Sequence, residues 1–251
     1  MVSANSDYPG RSEFPDIQTI EKNELLNKFK DVVIVDTRSK YEFDTLRIKG
    51  SINIPVSSKS FYKDIKQLNN QSAKPIVFYC NGRSCYKSYK AAKKAKRAGV
   101  KNVLAYDAGM FEWAKAYPQK ATLLGKSPIS PDSIISSDKY NKHLVTPNDF
   151  GKQAFNDKSR ALILDIRDSE QRAASIGLFL GKERWASIEN PNRISEYVKK
   201  AQANKQPIYI YDEVGKQVRW LQYELENLNV KNYYFMDKGA RGYIEQVVYN
   251  R

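Results

Sequence analysis

The strongest constraint on the fold of this chain is an internal repeat of three short segments. The three pairs are VVIVDTR with ALILDIR, PIVFYC with PIYIYD, and NVLAYDAGMFEW with NYYFMDKGARGY. The two members of each pair stand roughly 130 residues apart, and the pairs keep the same order. The repeat therefore predicts two copies of one domain, which is a plausible division of 251 residues.

Strand-like and helix-like stretches alternate within each copy. The apolar runs at Val32–Arg38 and Pro75–Cys80 are short, continuous and bounded by polar residues, as in strands buried on both faces of a parallel sheet. Helix-like stretches follow Cys80 and Asp212. This alternation predicts the α/β class, with a central, mainly parallel sheet flanked by helices in each domain. The predicted division is a first domain at residues 1–126, a linker rich in proline and serine at 127–141, and a second domain at 142–251.

Charge and composition limit the partners and cofactors. The net charge of +14 and pI near 9.5 favour anionic substrates, but no recognisable nucleic-acid module accompanies the charge, so no specific nucleic-acid partner is expected. No apolar run approaches the roughly 18 residues of a membrane span. Two cysteines and the single His143 are too few for a zinc site, so neither a metal nor another cofactor is expected.

The first sixteen residues are polar and rich in turn formers, and they show no export signal. They are interpreted either as a flexible arm of a cytoplasmic protein or as the mature end of an exported one. The cytoplasm and the periplasm therefore both stay open as compartments.

Cys80 is the candidate nucleophile. It follows a predicted buried strand and precedes a predicted helix, and reactive sites of open α/β sheets form at such strand ends. The helix start, inward loop NH groups and Arg83 would favour the thiolate, so the sequence predicts a lowered pKa for Cys80 and no need for a histidine base. The predicted substrate-binding residues are those of the loop that follows, namely Asn81, Gly82, Arg83, Ser84, Cys85, Tyr86 and Lys87.

Three segments in the first copy resemble the rhodanese family of sulfurtransferases. YCNGRSCYKSYKAA is similar to the active-site loop of that family, DTLRIKGSINIP to its H-I-x-G-A-x-N-I-P segment, and YDAGMFEWAKAYP to the segment that closes its domain. The resemblance implies two rhodanese-like domains and a persulfide on Cys80. That persulfide would carry sulfane sulfur from a small anionic donor, such as thiosulfate or a persulfide, to a thiol or cyanide acceptor.

One departure from the family pattern concerns the length of the loop. The family pattern is C-x-x-G-x-R-S, and the loop after Cys80 is about two residues longer than that pattern. A longer loop leaves room for a bulkier persulfide donor or for a protein acceptor.

Several residues near Cys80 allow two interpretations each. Arg83 is predicted to pair with the anionic part of a donor rather than to be a solvated loop residue. Cys85 either resolves a persulfide on Cys80 or is a small buried residue. Asp36 and Arg38 have counterparts in the second copy, which lacks the cysteine, so they are predicted to fix a turn.

Two other functions compete with sulfur transfer. Phosphatases of a related fold carry an arginine six residues beyond the cysteine, and arsenate reductases use a similar loop. Here that position is Tyr86, which disfavours phosphoryl transfer. A redox-sensing module that only cycles between thiol and disulfide also stays open. The second copy has Asp212 in place of the nucleophile and is predicted to be inactive.

Overall fold

The chain forms two compact units. The structure, a computed structural model, describes residues 7–156, 158, 160–174 and 177–249. The units are Met1–Ile134 and Ile135–Arg251, and the division between them falls inside the segment 127–141. That segment was predicted as a linker from its composition. The exact domain boundaries stay a prediction.

The first unit alternates strands with helices. Its strands are β1 Val33–Asp36, β2 Leu46–Ile48, β3 Ile52–Asn53, β4 Ile76–Tyr79, β5 Val103–Tyr106 and β6 Ala121–Leu123. Its helices are α1 Pro9–Glu13, α2 Lys22–Asn27, α3 Lys40–Thr45, α4 Phe61–Gln71, α5 Lys87–Arg97 and α6 Gly109–Ala116, with 3₁₀ turns at Pro118–Lys120 and Pro131–Ser133. The strands that the apolar runs predict are present.

The central sheet of the first unit is parallel, with strand order β3-β1-β4-β5. Thr19 adds a parallel bridge to Ala105 on β5, and β2 and β6 form a separate antiparallel pair. All four residues of β4 are buried, because helices cover both faces of the sheet. The strand therefore delivers Cys80 to the carboxyl edge of the sheet.

The second unit has the same strand order. Its strands are β7 Leu144–Val145, β8 Leu162–Asp165, β9 Arg184–Trp185, β10 Ile208–Tyr211 and β11 Tyr233–Met236. Its helices are α7 Ser137–Asn141, α8 Pro147–Ala154, α9 Ser169–Ala174, α10 Pro191–Ala203, α11 Val218–Asn227 and α12 Gly239–Tyr243, followed by a π-helical turn at Ile244–Val248. The sheet is parallel and runs β9-β8-β10-β11-β7, which matches the first unit when Thr19 is placed beside β5.

Local sequence explains the helices that surround the site. Ser39 and Glu42 form a capping box at the start of α3, which fixes the chain just after β1. In α5, Ala91, Ala92 and Ala95 lie on the buried face, and the lysines of this helix are at its more exposed positions. Alanine has high helix propensity and lets the helix approach the sheet closely.

The interpretation of residues 1–16 as a flexible arm is wrong for the part that the structure describes. Residues 1–6 lie outside the described residues. Residues 9–13 form α1, and Phe14 and Ile17 are buried in the core of the first unit. Arg11 Nε donates to Asp107 Oδ2 at 2.8 Å, which anchors α1 to the turn after β5. No helix in the described part of the chain is long and apolar enough to cross a membrane.

Candidate active site

Cys80 lies at the end of β4 and is fully buried. Its Sγ donates to the carbonyl oxygen of Cys85 at 2.9 Å and lies 3.7 Å from the hydroxyl of Ser88. Cys80 is thus enclosed by the loop of residues 80–87, hereafter the Cys80 loop.

Cys85 is the more accessible of the two thiols, because its residue is only partly buried. Its carbonyl oxygen accepts the Cys80 thiol, so the two cysteines are in contact through the backbone of Cys85. Cys80 and Cys85 together are called the thiol pair below.

The environment shifts the pKa values of the two thiols in opposite directions. Burial raises the pKa of Cys80 well above its ordinary value, and the neighbouring Cys85 raises it further. The hydrogen bond from Cys80 lowers the pKa of Cys85 to about 6, with help from two backbone NH groups and the positive charge of Lys87. The prediction of a lowered pKa for Cys80 is therefore wrong. A carbonyl oxygen faces the sulfur of Cys80, and burial of this sulfur disfavours its thiolate.

A buried ion pair supports the start of the Cys80 loop. Arg38 is bidentate to Asp36, with Nε–Oδ1 and Nη2–Oδ2 distances of 2.9 and 2.6 Å, and both side chains are fully buried. Arg38 Nη1 also donates to Asn81 Oδ1 at 3.1 Å. The pair thus fixes the turn after β1, as predicted, and in addition it orients the first loop residue after Cys80.

Glu42 is a site residue that the sequence reasoning missed. Its Oε1 accepts from Asn81 Nδ2 at 2.9 Å, and its Oε2 lies 3.7 Å from Lys87 Nζ. Burial raises the pKa of Glu42, but Lys87, Arg38 and Asn81 outweigh burial and hold the pKa below its usual value. Glu42 therefore links both ends of the Cys80 loop to α3. The S-x-x-E capping box was visible in the sequence, but its contacts with the loop were not.

Arg83 is directed away from the thiol pair. Its guanidinium pairs with Glu112, with Nε–Oε1 at 2.6 Å, and with Asp7, with Nη1–Oδ2 at 3.2 Å. It also lies 4.7 Å from the centre of the Tyr8 ring. Binding of a donor by Arg83 stays a prediction, and it would require release from these carboxylates.

The other predicted binding residues have separate roles in the loop. Gly82 accepts the NH of Cys85 at 2.8 Å, and Ser84 is exposed. Tyr86 packs its ring against Phe14, with centroids 6.0 Å apart. Asn81 and Lys87 both contact Glu42. Arg83 and Tyr86 make their contacts elsewhere.

The first turn of α6 supports the loop from behind. The NH of Met110 donates to the carbonyl of Cys80 at 2.9 Å. Gly109 has a φ of +79°, and a Cβ there would collide with the backbone of Asn81 and Gly82. Glycine is required at this position for its backbone conformation and for its close approach to the loop.

The corresponding loop of the second unit holds its own carboxylate. Asp212 Oδ1 accepts from the NH groups of Val214 and Gly215, and Oδ2 accepts from those of Gln217 and Val218. Asp212 is 1% exposed, so these four bonds replace its hydration. A side chain of the protein thus fills the anion-binding loop.

Other contacts recur between the two units. Arg167 is bidentate to Asp165, as Arg38 is to Asp36, and its Nη1 lies 3.7 Å from Glu213 Oε2. The NH of Ala240 donates to the carbonyl of Asp212 at 2.8 Å, and a Cβ on Gly239 would collide with that loop. The buried ion pair and the close glycine contact thus recur in both units, whereas the residue after the strand is Cys80 in the first and Asp212 in the second.

A basic cavity lies along α5, next to the Cys80 loop in sequence. Its volume is about 320 Å³, and it is lined by Val56, Ser57, Lys90, Lys93, Lys94 and Arg97. Lys94 Nζ already donates to the carbonyl of Val56 at 2.8 Å. Among the described residues, no cluster of three histidine, cysteine, aspartate or glutamate side chains is arranged to hold a metal ion.

The first unit is an α/β domain with a thiol loop at the carboxyl edge of a parallel sheet. Residues 21–116 match the model of the rhodanese-like domain. The first unit therefore contains a rhodanese-like domain, and this match covers the first unit alone.

The relatives are partial matches. The chain is 29% identical over 115 residues to the tRNA uridine(34) hydroxylase of Pelagibacter ubique, covering 45% of this chain and 36% of that protein. It is 33% identical over 92 residues to the thiosulfate:glutathione sulfurtransferase of Saccharomyces cerevisiae, covering 33% of this chain and 65% of that one. The chain thus spans less than two thirds of the length of either relative. The solved thiosulfate sulfurtransferase of Pseudomonas aeruginosa aligns over 91% of this chain and 44% of that one, with 17% identity and a TM-score of 0.38.

Proposed function

We propose that the first unit transfers sulfane sulfur through a persulfide on the thiol pair, which contains the predicted nucleophile Cys80. The single observation that carries this proposal is the buried thiol of Cys80 between the end of β4 and the start of α5, with a second thiol, Cys85, in the same loop. A helix start stabilises a thiolate before the reaction and the anionic persulfide after it. The loop can therefore hold a sulfur atom between a donor and an acceptor.

The proposed donor is a small anion such as thiosulfate or a low-molecular-weight persulfide, and the proposed acceptor is a thiol or cyanide. The net charge of +14 favours the approach of anions. The name of the yeast relative includes both thiosulfate and glutathione, which supports a thiol of that kind as acceptor. A protein acceptor is compatible with the long loop.

The contacts of the loop favour sulfur transfer over phosphoryl transfer. A phosphoryl group needs cations directed at its oxygens, but Arg83 is paired with Glu112 and Lys87 lies beside Glu42. The carbonyl oxygen of Cys85 also faces the sulfur of Cys80 and would repel phosphoryl oxygens. Two adjacent thiols, by contrast, suit sulfur exchange.

We further propose that the second unit is a rhodanese-like domain without sulfurtransferase activity. The support is its strand order and the position of Asp212 at the end of β10, where the first unit has Cys80. A carboxylate cannot form a persulfide, and Asp212 occupies the NH groups that would bind one.

The test of the proposed function is a sulfur-transfer assay with thiosulfate or glutathione persulfide as donor and cyanide or glutathione as acceptor. We expect the full chain to form thiocyanate and the Cys80→Ser/Cys85→Ser double variant to fall to the uncatalysed background. Asn70→Ala changes an exposed residue of α4, outside the Cys80 loop, and is expected to keep the rate. Hydrolysis of an aryl phosphate at a higher rate than sulfur transfer would contradict the proposal.

A further inference from the structure

We propose that the basic cavity along α5 binds a ligand with a chain of two or three phosphoryl groups. The cavity is formed by the segment after β3 and by one side of α5, and it shares no residue with the Cys80 loop. The inference therefore adds a binding site to the first unit and does not depend on sulfur transfer.

The cavity collects cations without carboxylates. Of its six lining residues none is acidic, and the four cations are Lys90, Lys93, Lys94 and Arg97. Among the described residues, none of these four side chains takes part in an ion pair, whereas Arg83 and Lys87 of the Cys80 loop both do. The charge of the cavity is therefore not neutralised by the protein itself.

The four cations also repel one another along the helix. Like charges four residues apart on a helix are destabilising, and α5 has such pairs in Lys90 with Lys94 and Lys93 with Arg97. The last turn of a helix favours cations, but Lys90 and Lys93 lie before that turn. A ligand with several negative charges would remove this repulsion and stabilise α5.

The shared architecture does not require this charge. In the second unit, α11 follows β10 as α5 follows β4 in the first. Helix α11 holds one cation, Arg219, and two acidic residues, Glu224 and Glu226. Helix α5 holds six cations and no acidic residue. The cationic side of α5 is therefore a property of the first unit alone.

Lys94 is held in position without a ligand. Its Nζ donates to the carbonyl oxygen of Val56 at 2.8 Å. The same atom lies 5.4 Å from the centre of the Phe61 ring and 5.8 Å from that of the Tyr62 ring. An ammonium group has three donors, and the bond to Val56 uses one of them. Because Lys94 is already ordered, binding an anion through it costs little side-chain entropy.

The charge and size of the cavity fit a short phosphate chain. Two or three linked phosphoryl groups carry about three or four negative charges at neutral pH, since the terminal group has a second pKa near 6. Ammonium groups bind phosphate as point charges, and Ser57 adds a hydroxyl donor at the wall. The volume of about 320 Å³ lies at the low end of the range for small-molecule sites.

The lining favours a small ligand over a nucleic-acid strand. Proteins that bind single strands stack the bases on aromatic side chains along an open groove. None of the six residues that line this cavity is aromatic. The cavity therefore offers contacts to phosphoryl groups and none to bases.

The experiment is isothermal titration calorimetry of the full chain with inorganic tripolyphosphate, without divalent cations and in about 0.15 M salt, which screens weak surface attraction. We expect saturable binding of one ligand per chain. Orthophosphate spans fewer cations and should bind at least about tenfold more weakly.

Two double variants locate the site. Lys90→Gln/Arg97→Gln removes two cations of the cavity and should weaken tripolyphosphate binding at least about tenfold. Lys101→Gln/Lys115→Gln is the matched control, because it removes two exposed cations of the same unit that do not line the cavity. The control should bind tripolyphosphate as the wild type does.

An equal loss of affinity in both double variants would show that net charge attracts the anion, and it would overturn the inference. Absence of saturable binding to the wild type, or equally tight binding of orthophosphate, would overturn it as well. Displacement of tripolyphosphate by a single-stranded oligoribonucleotide that binds more tightly would assign the cavity to nucleic acid instead. None of these measurements uses a sulfur donor, so their outcome is independent of the proposed function.

Discussion

Cys80 and Cys85 are five residues apart, yet their surroundings shift the pKa values of their thiols in opposite directions. Removal from water penalises the charged form of any thiol, so full burial keeps Cys80 protonated unless strong donors compensate. The pKa of Cys85, by contrast, is lowered to about 6, chiefly by the neighbouring Cys80 thiol. The two thiols of one loop therefore differ in the pH at which each becomes a thiolate.

The acidity difference predicts a pH profile for alkylation. A short pulse of iodoacetamide between about pH 5 and pH 10, followed by peptide mapping, should label Cys85 with a midpoint near pH 6. Labelling of Cys80 should begin only above the ordinary thiol range, since its pKa is raised. The denatured chain is the control, and there both cysteines should share one profile. Preferential labelling of Cys80 at neutral pH would contradict the assignment of the lower pKa to Cys85.

Glu42→Gln should loosen the Cys80 loop. Glutamine can keep the capping box with Ser39, but it loses the charge that attracts Lys87. We expect a loss of about 1–3 kcal/mol in the free energy of unfolding at neutral pH, because buried hydrogen bonds to a charged group are lost.

The pH dependence checks the role of Glu42. Its pKa is lowered in the folded chain, so its contribution to stability is present above its ordinary value of 4.5 and is lost as the pH falls through the folded value. As the pH falls through this range, the free energy of unfolding of Glu42→Gln should therefore decrease less than that of the wild type, as measured by denaturant unfolding. Glu24→Gln, which removes an exposed pair with Lys28, is the control and should change stability little. An equal change in the free energy of unfolding for Glu42→Gln and Glu24→Gln would exclude a role of Glu42 in stabilising the Cys80 loop.

At the scale of single residues, the sequence predicted positions better than contacts. Cys80 does follow a buried strand, and Asp36 with Arg38 and Asp165 with Arg167 do form structural pairs. Arg83 was predicted to face the donor, but the acidic residues that hold it, Asp7 and Glu112, are 76 and 29 residues away in the chain. Long-range partners of this kind leave no local pattern.

At the scale of elements, the start of α6 and the Cys80 loop depend on each other. Gly109→Ala should lower the rate of sulfur transfer and the stability of the chain, because a Cβ would displace the backbone of Asn81 and Gly82. Gly99→Ala is the matched control, since its φ of +90° is also positive but nothing lies within 4 Å of its Cβ.

The two glycine variants separate strain from collision. Gly99→Ala should cost about 1–3 kcal/mol of backbone strain and leave the sulfur-transfer rate per folded molecule unchanged. Gly109→Ala should show the same strain and a further loss in rate, measured by thiocyanate formation and by thermal unfolding. Equal rates for the two variants would show that the contact with the loop has no role in activity.

The long elements were predictable because burial gives them a simple pattern. The apolar run before Cys80 became β4, and the alanine-rich stretch after the loop became α5. Helix α1 was missed, because its five residues contain a proline and a glycine and carry no apolar period. Its order comes from tertiary contacts such as that of Arg11 with Asp107.

At the scale of the whole molecule, the two units share a strand order and differ in the residue that follows the strand, Cys80 after β4 and Asp212 after β10. In the second unit, Asp212 satisfies four backbone NH groups by itself. Asp212→Asn keeps the shape but replaces one accepting oxygen with an NH₂ group. The donors that lose their acceptor should cost about 1–3 kcal/mol in the free energy of unfolding.

Denaturant unfolding and thiocyanate formation, measured on the same variant, test whether Asp212 has a structural role only. We expect Asp212→Asn to be less stable and to transfer sulfur at the wild-type rate per folded molecule. Asp149→Asn changes an exposed carboxylate of the same unit and is the control. A large fall in the rate with Asp212→Asn would show that the second unit takes part in the reaction.

The fold class of both halves could be predicted from the repeat, because buried parallel strands demand continuous apolar runs at regular spacing. The way the two loops differ could be predicted only in part. The sequence showed an aspartate in place of a cysteine, but the four NH groups that hold Asp212 became visible only when the loop was folded.

The most direct test of sulfur transfer by the first unit is rapid-quench mass spectrometry of the peptide with Cys80 and Cys85, with thiosulfate and cyanide both present. The account predicts that the mass of one sulfur atom appears on this peptide within one turnover and declines as thiocyanate accumulates. Thiocyanate that accumulates at the catalysed rate while this peptide never carries sulfur would contradict it.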